Sequence, residues 1–352
     1  MRRRSVWVGA GTIVFSLGLS TTFAARAAAA PQDEGESGYH LDKKVTLGGE
    51  GTWDYLLADP MTHRVFISRG THTMVVDENG KILGDIPKTE GVHGIALAPE
   101  FGRGFISNGR ANTVTIFDLN TLATISEVKV TGQNPDSILY DSASKRVFTF
   151  NGRSGDSTVI EAKSGEVLGT IMLGGKPETA QSDGAGHIYA NLEDKSAIAV
   201  LDTASLKVLN TWPVAPCDSP SGLAFDVAHH RLFAGCENRM MVVVDSTNGK
   251  MVTTVPIGQG VDADGFDPGT QDAFASCGDG TLTVAHEDSP DKYTAESIPT
   301  QRGARTMTVD TGSHNVYTVT ADFGPTPAPT ADAPRPRPTM LPGTFTLLII
   351  KR

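Results

Sequence analysis

The sequence predicts an all-β fold, a seven-bladed β-propeller of four-stranded antiparallel blades whose last blade is closed by the N-terminal strand. Three observations predict it. An aromatic residue recurs at Phe66, Phe105, Phe148, Tyr189, Phe233, Phe274 and Tyr317, with gaps of 39, 43, 41, 44, 41 and 43 residues. Six of these stand seven residues after a fixed position (Asp59, Ala98, Asp141, Asp226, Asp267 and Asp310), and Tyr189 stands six after Asp183, a one-residue deletion. Each period also divides into four short β-branched runs separated by turn residues, the sequence mark of a blade. Seven units of this length cannot bury both faces alone, so the core forms by stacking neighbours.

The first thirty residues stand outside the repeat. Arg2, Arg3 and Arg4 precede a mostly apolar stretch, and a run of small residues at 24–30 follows. Basic, apolar and small-residue regions in that order are the pattern of a cleaved signal peptide. Gly9, Gly11, Ser16, Gly18 and Ser20 interrupt the apolar stretch, which argues against a permanent membrane anchor. The expected organisation is a signal peptide at 1–30, a short linker at 31–38 and one propeller at 39–352. The protein is then exported, periplasmic or extracellular. The formal net charge of −10 becomes −14 once the leader, with its four Arg and no acid, is removed. A body this acidic repels phosphate backbones, so nucleic acid is not an expected partner.

Blade 5 shows the strand plan. Strand A is Gly-Leu-Ala-Phe-Asp at 222–226, and strand B is Arg-Leu-Phe-Ala-Gly at 231–235. Strand C is Met-Val-Val-Val-Asp at 241–245, and strand D is Met-Val-Thr-Thr-Val at 251–255. Asn248-Gly249 between C and D is a strong hairpin signal. The strand C ending repeats as Val76-Asp77, Phe117-Asp118, Ile160-Glu161 and Leu201-Asp202. Blade 7 has strands A to C, with strand C at 345–350, and the chain then stops. The orphan run at 40–49 has the pattern of a strand D. Its pairing with strand C of blade 7 would close the ring and remove two open edges.

These repeats, with Val-Phe-Ile-Ser or Arg-Leu-Phe-Ala as strand B and Val-Val-Asp before a Thr/Ser-x-x-Gly-Lys turn, resemble the YVTN-type, YncE-like β-propeller proteins. The resemblance spans nearly the whole chain after residue 38. It implies an extracytoplasmic propeller. The family is mostly without a defined reaction, so no catalytic site carries over.

In a propeller the first residues of each strand A ring one mouth of the central channel. The repeat places Asp54, His93, Asp136, Glu178, Ser221, Asp262 and Arg305 there, one per blade. Four carboxylates, a His and an Arg converging on one funnel form a candidate ligand-binding site. Repulsion among the carboxylates should raise some of their pKa values unless a cation or Arg305 compensates. A divalent cation is the possible cofactor, since oxygen-rich sites suit Ca²⁺ or Mg²⁺. No His-Glu-x-x-His or Cys-x-x-Cys-His motif occurs. His229-His230 reads as a solvated turn on the opposite face.

Blade 7 carries a proline-rich insertion at 320–343, expected to be extended and without helix or strand. It emerges beside the polar ring, and as a lid or partner-docking arm it would use Asp322, Phe323, Asp332, Arg335 and Arg337. Of the three cysteines, Cys217 and Cys236 both fall on the mouth side of blade 5, which favours a Cys217–Cys236 bridge over Cys236–Cys277. Asn108-Gly109-Arg110 and Asn151-Gly152-Arg153 read as turns on the mouth face with a secondary potential for anion or sugar contacts. Trp53 reads as channel packing. The expected function is a binding or scaffold protein, probing an unknown protein or small molecule through this loop face. It is expected to be monomeric and without stable membrane insertion. The alternative is a channel-mouth enzyme, either a lactonase-like hydrolase or a quinone-dependent dehydrogenase.

Overall fold

A computed structural model describes residues 37–352 except 329, 331–335 and 337. The expected signal peptide, most of the expected linker, and Asp332, Arg335 and Arg337 lie outside the described residues. The described chain forms seven four-stranded antiparallel sheets. Six are built from consecutive strands, at 56–87, 92–129, 135–172, 177–213, 220–256 and 261–299. The seventh combines Met307–Asp310, Asn315–Thr320 and Thr346–Lys351 with the N-terminal strand His40–Thr46.

The ring closes as the repeat requires. His40 pairs with Lys351 and Thr46 with Thr346, through one register shift between Leu41 and Lys43. Ser37 adds a further tie, because its backbone N–H and Oγ donate to the Glu296 carboxylate at 3.0 and 2.5 Å. Ser37 is thus tied to the last strand of blade 6. Tyr39 is buried and meets Phe274 edge-on at 5.1 Å.

The core lies between blades. Strands B and C are almost wholly buried because both of their faces pack on a neighbour. One cluster joins Phe66, Val75 and Ile86 of blade 1 to Ile95, Ile106 and Phe117 of blade 2. Blades 5 and 6 meet through Phe233 and Phe266, stacked at 5.6 Å. The repeated strand B aromatic is thus the wedge between blades, worth about 3–5 kcal/mol in a Phe→Ala truncation. The deletion before Tyr189 falls in the A–B turn, where Asp183 accepts from the backbone N–H of Ala185 and of His187 and so shortens the turn.

Strand A of every blade lines the channel. A cavity of about 520 Å³, lined by all seven A strands, runs along it from Tyr55 to the A–B turn residues Pro60, Met61 and Pro99. The Tyr55 side chain of blade 1 reaches Thr179 of blade 4, with Oη and Oγ1 3.3 Å apart. Cys217 and Cys236 form the expected disulfide, and Cys277 is free and buried. No helix among the described residues is long and apolar enough to cross a membrane.

The insertion departs from its expected form at its root. Phe323 bridges Met340 in antiparallel register, Gly324 N–H donates to Thr339 O at 2.9 Å, and Leu341 N–H donates to Asp322 O at 2.8 Å. The residues on these rungs are not proline and keep their N–H groups, so pairing can form where the proline run has not begun.

Candidate functional site

Local backbone geometry aims the polar ring. In blades 2 to 6 the ring residue is the second residue of strand A, and the register with strand B shifts just beside it. A bulge of this kind bends the strand and redirects a side chain. In blades 3, 4 and 5 the strand opens with Pro135, Pro177 or Pro220, which fixes φ immediately before Asp136, Glu178 and Ser221. Asp54 and Arg305 sit in the incoming loops, just before Leu56–Asp59 and Met307–Asp310. Strand B hydroxyls pin the backbone. Ser68 Oγ accepts from Asp54 N–H at 2.9 Å, and Ser107 Oγ donates to Asp136 O at 2.5 Å.

The structure brings the ring residues into two arcs. In the first, His93 Nδ1 lies 2.5 Å from Asp54 Oδ2 and 3.4 Å from Asp136 Oδ1, joining blades 1, 2 and 3. Glu178 of blade 4 is 2.7 Å from Lys176 Nζ, which also pairs with Glu193. In the second arc, Ser221 Oγ is 3.4 Å from Asp262 Oδ1, and Arg305 Nε is 3.3 Å from Asp262 Oδ2, joining blades 5, 6 and 7. Among the described residues no hydrogen bond or ion pair joins Glu178 to Asp136 or Ser221, or Arg305 to Asp54, so Glu178 with Lys176 stands between the two arcs.

The ring is electrostatically tense. Burial pushes Asp136 up to about 6, against the pull of the His93 charge and with the Asp54 charge adding to the rise. Burial and then the Asp136 charge push Glu178 up to about 8, although Lys176 opposes both. Asp262 rises to about 6 by burial, opposed first by Arg305. Burial by itself pulls the His93 imidazole down, but the Asp54 hydrogen bond and the Asp136, Asp54 and Glu178 charges overcome it and hold the group at about 9. Burial is thus the first cause of each raised carboxylate, repulsion between carboxylates adds to it, and Arg305 offsets it only in part and only at Asp262.

Sequence reasoning missed several members of this site. Lys176 comes from the loop entering blade 4 and has no lysine counterpart at the same repeat position, while Glu193 comes from the B–C loop of that blade, where blade 5 carries Glu237. Tyr55 follows Asp54, and burial together with the Asp136, Glu178, Asp54 and Asp262 charges pushes its phenol well above its ordinary value. Its adjacency to Asp54 was the available signal. Trp53 packs at the seam of blades 1 and 7, 5.4 Å from Phe345 and 6.1 Å from Phe323, and not in the channel. Phe323 thus joins the wall beside the mouth, while Asp322 accepts from Gln301 Nε2 at 3.0 Å.

Ligand atoms of Asp54, His93 and Asp136 lie within 4.8 Å of one another, close enough to share a cation. For that, His93 Nδ1 would have to lose its proton and turn its lone pair from Asp54 to the metal. A second grouping, Asp226, His229 and Glu287, lies at the opposite face. There Asp226 is occupied by its own turn, accepting from Ala228 N–H, His229 N–H and His229 Nδ1 at 3.0, 3.2 and 2.6 Å.

No protein-family model matches the chain, and no curated protein matches it. Among solved structures, hydrazine synthase of Kuenenia stuttgartiensis is similar at 15% identity, with a TM-score of 0.67. The match covers 78% of this chain and 95% of that one. At this identity the likeness concerns the fold, a seven-bladed β-propeller, and carries no activity across.

Proposed function

We propose that this is an exported binding protein of the YVTN-type propeller kind, and that it holds a polar ligand at the loop face around the channel mouth. One observation carries the reading. Seven blades deliver the same strand position to one mouth, and there the side chains form a partly desolvated network of carboxylates and cations. Groups held away from their ordinary pKa values in a concave site are the usual mark of a functional surface. The rigid ring supports binding with little reorganisation. Export is supported by the basic, apolar and small-residue pattern of the first thirty residues.

A second reading, acid–base catalysis at the mouth, is favoured by the Asp54–His93 contact, in which a carboxylate orients an imidazole. A His group held at about 9 is charged at neutral pH, which suits a proton donor better than a base. A thermal-shift screen of a small-molecule library on the wild type and on Asp136→Asn/Glu178→Gln/Asp262→Asn tests the binding reading. A ligand at one hundred times its dissociation constant should stabilise the wild type by about 2.7 kcal/mol, roughly 5 °C for a domain of this size. The triple variant should not respond. An equal response in both proteins would contradict the reading, and turnover of a lactone panel lost in His93→Gln would favour the enzyme.

A further inference from the structure

Beside the mouth, between blades 1, 2 and 3, lies a second cavity of about 400 Å³. Its lining differs in character from the acidic ring. Arg110 and Arg153 stand at it, from the B–C loops of blades 2 and 3, together with Asn112, Asn134, His93 and Trp53. Asp54 is the carboxylate in its wall, and that charge is engaged by His93 at 2.5 Å. Two guanidinium groups, Arg110 and Arg153, face the one carboxylate in the wall, which His93 already engages, so the cavity favours an anion although the protein as a whole is acidic.

Three of the four donors are also unengaged among the described residues. His93 uses Nδ1 on Asp54 and Asp136, while Nε2 lies toward Gly109, itself part of the cavity wall, and makes no hydrogen bond among the described residues. Arg153, which is exposed, has no ion-pair partner among the described residues, and Arg110 is 4.0 Å from Glu90. Asn112 Oδ1 accepts from Asn134 N–H at 2.7 Å, and the Asn134 amide group has no hydrogen bond of its own among the described residues. Gly109 makes the arrangement possible. A Cβ there would stand 2.6 Å from His93 Cδ2 and Nε2 and 2.8 Å from Asn134 Oδ1, so any other residue would displace both.

We propose that this cavity is a binding site for a small hydrophilic carboxylate, which His93 Nε2–H, Arg110 and Arg153 hold by charge-assisted hydrogen bonds while Asn134 serves its remaining polar groups. Planar guanidinium forks suit a carboxylate in particular. The inference deepens the mouth-face reading and rests on it. The basic residues belong to loops that the repeat supplies twice, as Asn-Gly-Arg at 108–110 and 151–153, so the two arginines approach one cavity from adjacent blades.

Isothermal titration of the full chain at pH 7 with succinate, gluconate and, as a cationic control, putrescine tests it. Succinate or gluconate should bind and putrescine should not. Arg153→Gln and Gly109→Ala should each weaken carboxylate binding tenfold or more. Arg239→Gln, an exposed basic residue in the corresponding loop of blade 5, should change it less than twofold. Arg153 is exposed, so its variant should keep the wild-type melting temperature. Equal losses in Arg153→Gln and Arg239→Gln would mean diffuse surface attraction and overturn the site. Binding of putrescine alone would overturn the carboxylate assignment and leave the mouth as a binding surface. Binding of no probe at millimolar concentration would overturn the assignment as well, and the mouth reading would then be judged by co-purifying mass.

Discussion

Replacing Asp54 by Asn should lower the proton affinity of His93 sharply. The imidazole is half-buried beside three carboxylates, and its group sits at about 9 against an ordinary 6.5. Free energy changes by about 1.4 kcal/mol for each tenfold change in proton affinity, so the carboxylates favour the charged ring by about 3 kcal/mol before solvent screening. Asp54 supplies the largest upward contribution, through a contact of 2.5 Å, whereas Asp136 is farther, at 3.4 Å. Asn at position 54 removes that charge and leaves burial pulling the group down. The His93 midpoint should fall below about 7, and in Asp54→Asn/Asp136→Asn below 6.5, because desolvation then dominates. The assay is a histidine-selective NMR titration, with His93→Gln assigning the resonance among nine histidines. A wild-type midpoint near 6.5, or one unmoved by Asp54→Asn, would refute the reasoning.

Three further outcomes follow from the same structure. The raised groups Asp136, Glu178 and Asp262 keep protons that the unfolded chain releases above pH 4, and His93 keeps one that the unfolded chain releases above 6.5. Folding stability should therefore fall as pH rises from 5 to 9, and Glu178→Gln should flatten that fall in calorimetric scans. Removing the Cys217–Cys236 bridge, which spans 19 residues, in a Cys217→Ala/Cys236→Ala variant should lower stability by about 3 kcal/mol in denaturant unfolding, while Cys277 resists alkylation in the folded protein because it is buried and its thiol is pushed up to about 12. Deleting residues 37–47 should strip the edge of strand Thr346–Lys351 and yield concentration-dependent oligomers by light scattering, since an open edge invites pairing.

The architecture was legible in the sequence because a propeller repeats its constraints. Each wedge aromatic meets the same environment seven times, so a weak local signal becomes a period. Closure was legible for the same reason, as a strand D pattern at 40–49 had no blade of its own. The ring of Asp54, His93, Asp136, Glu178, Ser221, Asp262 and Arg305 followed from the alignment, since all seven hold one position relative to strand A. What the alignment missed is aperiodic. Lys176 occurs in blade 4 only, and the glutamate position of Glu193 recurs only as Glu237 in blade 5. Tyr55 crosses to Thr179 over a separation of 124 residues, which no local pattern encodes. The bulges that re-aim the ring are register shifts, and a shift leaves no residue signature beyond an occasional leading proline. The side cavity was half legible. The two Asn-Gly-Arg loops stood out, but their approach to Trp53 and His93 depends on blade stacking.

Native mass spectrometry of the protein purified from the cells that produce it, compared with the same sample denatured without reduction, tests the central claim most directly. Extra mass is expected on the native protein, to disappear on denaturation and to be missing from Asp136→Asn/Glu178→Gln/Asp262→Asn. Native protein without added mass, or mass retained by the triple variant at wild-type occupancy, would contradict a ligand site at the mouth.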